Sequence, residues 1–114
     1  MNHPNDDTGD ALRRLEAGGD DLTRARDIDF TIVFPDELRA QRFAEYFRER
    51  GHAVSMKFSQ VREGLPFDVR VINHMTPSHK AITDFENELQ ELATALGGEN
   101  DGWGCFTEPG KFLQ

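Results

Sequence analysis

The chain has little of three things on which whole classes of protein depend: cysteine, positive charge and long apolar runs. One Cys among 114 residues excludes a disulfide within a single copy of the chain. The 13 Lys and Arg are outnumbered by 21 Asp and Glu, which leaves a net charge of -8. Because Lys and Arg supply most of a protein's affinity for nucleic acid, direct binding of RNA or DNA is disfavoured. A basic protein partner suits this charge better.

Signals for export or membrane insertion are lacking as well. No apolar run approaches the roughly 20 residues of a transmembrane helix, and Met1-Asn2-His3-Pro4 opens no signal peptide. We therefore expect a cytoplasmic protein. A length of 114 residues suits one domain. Nine Phe against one Tyr and one Trp predict that its core is packed with Phe. We place an acidic lead-in at residues 1–27, the folded domain at 28–109 and a tail at 110–114.

Period-two alternation of apolar and polar residues predicts three strands, at residues 28–34, 54–58 and 67–74. The connection between the second and third strands contains Gly64 and Pro66, which suits a hairpin. A fourth strand is predicted around Trp103, where the preceding Asp-Gly pair is typical of a turn.

Two helices are predicted between these strands. Asp36 is placed to cap the first, which ends at Gly51. Thr76 is the expected N cap of the second, with Pro77 in its first turn and Gly97 at its end. The resulting order is β-α-β-β-α-β.

A further short helix is predicted in the lead-in, capped by Asp10 and running through Ala17. Its apolar residues Leu12 and Leu15 fall on one side. Two interpretations stay open, a helix that packs on the domain and a solubilising lead-in, because short amphipathic helices depend on tertiary packing.

The order β-α-β-β-α-β favours an α+β fold of the ferredoxin-like type. In that sandwich, two helices cover one face of a single antiparallel sheet, and the short N-terminal helix precedes it. The other sheet face is left open. It is either a solvated surface with cross-strand ion pairs or a surface for a partner or a second copy of the chain.

Two segments carry a family resemblance: the acidic Gly-Asp stretch at residues 18–26 and the closing tetrapeptide Asp101-Gly102-Trp103-Gly104 after a glycine-ended helix. In this order they resemble the family of the regulator of ribonuclease activity B, over nearly the whole chain. The resemblance implies a ferredoxin-like fold and a non-catalytic inhibitor that binds the scaffold region of ribonuclease E. Any effect on RNA decay would then pass through that protein.

The candidate residues for binding a partner come from the resemblance and from the open face. They are Asp20, Asp21, Asp29, Arg70, Asp101, Gly102, Trp103 and Gly104. Strand parity puts Trp103 and Cys105 on one face and Gly104 on the other, so we favour Trp103 as a core anchor over a contact hot spot. The bare Gly104 leaves room for something to approach the opposite face.

Catalytic, metal and nucleic-acid patterns are missing. The strand positions predicted to face outward are Asp29, Thr31 and Val33 on the first strand and Asp68, Arg70 and Ile72 on the third, so an aromatic platform for RNA bases is lacking. The chain holds no helical His pair for a metal, and Cys105 has no His neighbour in sequence. We expect no metal, no cofactor and no enzymatic activity. The alternative function is an oligomeric regulatory domain that binds a small molecule.

Overall fold

The structure, a computed structural model, describes residues 6–60 and 62–105, with Cys105 described by its backbone alone. His3 and the predicted tail at 110–114 lie outside these residues. Seven elements follow along the chain. They are α1 (Asp7–Ala17), β1 (Arg26–Phe34), α2 (Glu37–Glu49), β2 (Ala53–Phe58), β3 (Phe67–Met75), α3 (His79–Ala95) and β4 (Glu99–Cys105).

The four strands form one sheet in the order β2-β3-β1-β4. Each neighbouring pair is antiparallel, with Phe30 of β1 facing Val71 of β3 on one side and Trp103 of β4 on the other. The α+β class and the single antiparallel sheet are therefore confirmed.

The helix starts confirm one predicted cap and correct two. The Asp36 carboxylate accepts the Arg39 N–H at 2.9 Å, as predicted. The cap of α1 is Asp6, so the prediction of Asp10 is wrong: Asp10 lies within the helix, four residues on. The cap of α3 is Ser78, whose hydroxyl accepts the Ala81 N–H at 3.1 Å, so Thr76 is wrong by two residues.

Phenylalanine rings join both long helices to the same face of the sheet. The Phe34 ring of β1 lies 4.9 Å from Phe43 of α2, and the Phe30 ring lies 4.8 Å from Phe85 of α3. All four side chains are buried. Because Phe30 and Phe34 share strand parity, α2 and α3 cover one face and leave the other open.

The helix α1 packs on this unit beside α3. Leu12 is fully buried in the main apolar cluster, and the Asp6 carboxylate lies 2.6 Å from the His79 ring at the start of α3. The packed unit therefore begins with α1. Across the described part of the chain, no helix has the length and apolar character to span a membrane.

Candidate functional site

The closing tetrapeptide contains a β-bulge. Phe30 pairs with Trp103 and Ile32 pairs with Asn100, so two residues of β4, Asp101 and Gly102, lie opposite the single residue between them on β1. Gly102 has a φ of +101°, a backbone conformation that glycine adopts without strain. The extra residue shifts the alternation of β4, so that Glu99 lies on the open face and Trp103 on the helix-covered face.

Trp103 is half-buried and packs against the main apolar cluster. Its indole N–H donates to the Thr8 hydroxyl of α1 at 3.4 Å, which joins residues 95 positions apart. The indole is therefore both an anchor between β4 and α1 and a partly accessible aromatic surface.

A groove runs between α1 and β4, with the Trp103 side chain in its lining. Its volume is about 560 Å³. We call it the Trp103 groove and define it by six lining residues, namely Asp7, Ala11, Arg14, Glu86, Asp101 and Trp103. Asp101 is already bonded by Arg62, but Asp7 and Glu86 still outnumber the one guanidinium, Arg14, so the groove favours a cationic occupant.

The open face carries the other predicted residues, Asp29 and Arg70. Arg70 stands opposite Thr31 of β1 and Ser55 of β2, and it lines a small pocket of about 100 Å³. Asp29 pairs with Gly104, and a Cβ at position 104 would lie 3.4 Å from the Asp29 Oδ1 atom. The sheet separates Asp29 and Arg70 from the Trp103 indole, so the predicted residues do not form one concave site.

The β2–β3 connection crosses one end of the open face. Arg62 in that connection bonds both Glu99 and Asp101 of β4, which lies beyond β3 and β1 in the sheet. The hydrogen bond to Asp101 raises the pKa of Arg62, and the charges of both carboxylates act in the same direction. Val33 of β1 points to this face, yet it is fully buried. Its predicted exposure is therefore wrong.

The two predicted residues of the lead-in lie in the α1–β1 connection. Asp20 is buried, and its Oδ2 atom lies 2.7 Å from the Arg26 guanidinium. Asp21 accepts hydrogen bonds from the Thr23 hydroxyl at 2.6 Å and the Thr23 N–H at 3.1 Å, and both lower the pKa of Asp21. Neither aspartate lines the Trp103 groove. Asp20 has an internal contact, and Asp21 is half-exposed.

Three charged residues of the groove escaped the sequence analysis: Asp7, Arg14 and Glu86. Asp7 and Arg14 belong to α1, and Glu86 of α3 accepts a hydrogen bond from the Asn100 side chain at 2.8 Å. The amphipathic pattern of the lead-in was the available signal for α1. No pattern placed α1 beside β4.

Two histidines each contact an aspartate. His79 contacts Asp6 at 2.6 Å, and His74 contacts Asp27 at 2.9 Å. Among residues 6–60 and 62–105, no group of three or more His, Cys, Asp or Glu side chains is arranged to hold a metal ion.

The chain was compared with models of protein families. The family model described as "Regulator of ribonuclease activity B" matches residues 5–105. The matched segment includes all seven elements, so both walls of the Trp103 groove lie within it. A comparison with curated proteins finds no match.

Proposed function

The chain belongs to the family of the regulator of ribonuclease activity B, and from that membership we propose that it regulates a ribonuclease by binding the enzyme. In this proposal the chain has no catalytic activity of its own and does not bind RNA. Its partner is the scaffold region of ribonuclease E or a related basic, disordered segment, and both proteins meet in the cytoplasm.

The observation that carries the proposal is the chemistry of the open face. An RNA-binding sheet of this kind stacks bases on exposed aromatic residues of its central strands. Here the central positions are occupied by Asp29, Thr31, Asp68 and Arg70. The exposed ring of Phe58 pairs with Phe67, which lies opposite the core residue Phe34 and therefore belongs to the other side of the sheet. Action through a protein is the interpretation that fits.

The net charge of -8 supports a basic partner. Opposite charges on two proteins attract each other within the Debye length, which speeds their association. Asp101 and Asp21 offer carboxylates for such contacts, while Gly102 and Gly104 leave backbone accessible. Asp29 and Arg70 would extend the contact to the open face. Asp20 would act through the ion pair that shapes the α1–β1 connection.

The architecture that we infer is the ferredoxin-like sandwich. Counted from the β4 edge, the strand order is β4-β1-β3-β2, with α2 and α3 as the two helical connections on one face. This order supports the inference, as does the antiparallel pairing of all neighbours. The open face remains an alternative surface for pairing with a second copy.

The competing function, a small-molecule regulatory domain, has less support. The pocket on the open face measures about 100 Å³. Drug-sized ligands occupy pockets of roughly 300–1,000 Å³ that enclose most of their surface. The Trp103 groove is large enough, but its three carboxylates suit a cationic side chain better than a neutral metabolite.

The proposed function is tested by binding the purified chain to scaffold fragments of ribonuclease E at low and high salt. We expect binding that weakens as salt rises, because charge complementarity is screened. A single-stranded RNA oligonucleotide serves as the matched control and should not bind. Absence of any salt-sensitive binding to the scaffold would refute the proposed partner.

A further inference from the structure

The Trp103 groove has three properties that together describe its occupant. It lies between a helix and an edge strand, so it is open to a partner at the edge of the sheet. Its volume of about 560 Å³ exceeds that of a single side chain. The half-buried Trp103 indole provides an aromatic surface within it.

The charge of the groove is negative. Asp7 and Glu86 line it against one basic residue, Arg14, while the Asp101 carboxylate, also in the lining, is already bonded by Arg62. The N-terminus of α1 would on its own favour an anion, but the Asp6 carboxylate already caps it and accepts the Gly9 N–H at 2.8 Å. The remaining field therefore attracts a cation.

Guanidinium groups already occupy comparable surroundings elsewhere in the chain. Arg62 is held by Glu99 and by Asp101, a residue that also lines the groove. The Arg50 guanidinium lies 3.4 Å from the centre of the Tyr46 ring. A carboxylate pair and an aromatic face are the two features that bind arginine, and the Trp103 groove combines them.

We propose that the Trp103 groove binds an arginine side chain from a basic linear segment of the partner. The guanidinium lies against the Trp103 indole, and Asp7 and Glu86 neutralise its charge. This inference rests on the proposed function, since it assigns the contact site for the basic partner named there.

The test uses the full chain, an oligo-arginine peptide as probe and the emission of Trp103, which is the one Trp of the chain. We expect saturable quenching or a spectral shift on titration with oligo-arginine, and no such change with oligo-glutamate. In the double variant Asp7→Asn/Glu86→Gln, we expect affinity to fall about fivefold, the size expected for two partly exposed ion pairs. Glu86→Gln keeps an acceptor for Asn100, so the wall of the groove is preserved.

The matched control is the double variant Glu45→Gln/Glu91→Gln, which removes two exposed carboxylates from α2 and α3. It should leave the peptide affinity within twofold of the wild type. An equal loss in both double variants would indicate general attraction to an acidic protein and overturn the inference. A larger loss in the control would place the site on the outer side of α2 and α3 and also overturn it.

The scaffold fragment separates this inference from the proposed function. Wild-type binding to the scaffold with unchanged affinity in Asp7→Asn/Glu86→Gln would overturn the groove as the contact site and leave the function standing. Failure of the wild type to bind the scaffold, together with a groove-dependent response to oligo-arginine, would refute the named partner and keep the arginine site.

Discussion

Arg26 and Asp20 form an ion pair inside the protein, with 2.7 Å between Nη1 and Oδ2 and with 2% and 0% of their side chains exposed. Arg26 also donates to the backbone carbonyls of Asp21 and Arg24. A single guanidinium thus binds the α1–β1 connection to the first residue of β1.

Removing the carboxylate should therefore destabilise the fold. In Asp20→Asn, the Arg26 charge stays buried without a counter-charge, and we expect the free energy of unfolding to fall by about 3 kcal/mol. Urea denaturation followed by circular dichroism measures this change. Asp84→Asn is the control, because its ion pair with Lys80 is exposed, and it should have little effect. An Asp20→Asn protein as stable as the wild type would show that the pair contributes no net stability.

Gly98 should not tolerate a side chain. A Cβ there would lie 2.5 Å from the Phe34 ring and 2.9 Å from the Val33 carbonyl oxygen. We expect Gly98→Ala to cost about 1–3 kcal/mol in the free energy of unfolding, as overpacking usually does. Gly18→Ala is the matched control: its nearest neighbour would be at 3.4 Å, and its φ is −83°. Thermal denaturation should give a lower midpoint for Gly98→Ala than for Gly18→Ala. Equal midpoints would contradict the close packing of Gly98 against Phe34 and Val33.

Arg62 should control how firmly the β2–β3 connection lies over the open face. We expect Arg62→Gln to speed amide hydrogen exchange at residues 62–65, because both bonds to Glu99 and Asp101 are lost. Exchange in β3 should stay slow. Arg39→Gln, which removes the surface pair with Asp36, is the control and should leave residues 62–65 unchanged. Unaltered exchange in Arg62→Gln would show that other contacts hold the connection.

Asp6 should make the docking of α1 sensitive to acid. The Gly9 N–H, and next the His79 ring, lower the pKa of Asp6 below its ordinary value of 3.8, and the Arg13 charge acts the same way. A carboxylate whose pKa is depressed on folding adds stability above 3.8, and this stability is lost as the pH falls through the lower folded value.

The comparison of wild type with Asp6→Asn isolates this effect, because Asn also caps helices and the other carboxylates are common to both proteins. We expect the difference in urea midpoint, followed by Trp103 emission, to be largest above pH 3.8 and to shrink as the pH falls through the lower pKa of Asp6 in the folded protein. A difference independent of pH would contradict the role of the Asp6 charge.

Much of the fold could be predicted from the sequence, because its strands alternate strictly and its Phe residues repeat on one side. The starts of α1 and α3 could not. Asp6 and Asp10 both suit an N cap, and the choice depends on His79, which is 73 residues away. Thr76 and Ser78 present the same hydroxyl chemistry, and only the path of the chain selects Ser78.

The candidate site was less predictable than the fold. The closing tetrapeptide drew attention to Trp103 and Asp101, but its partners Asp7 and Arg14 depend on how α1 packs, which periodicity left open. The burial of Asp20 against Arg26 and the burial of Val33 on the open face are both tertiary relationships. No local pattern encodes them.

The extra residue at Gly102 keeps Asn100 and Trp103 on the same face of the sheet although they are three positions apart. A regular strand through the same residues would place Trp103 opposite Asp29 and turn the indole outward onto the polar sheet face, away from α1. Deleting Gly102, in contrast, would leave Trp103 opposite Phe30. The bulge therefore decides which of the two surfaces of the molecule carries the indole.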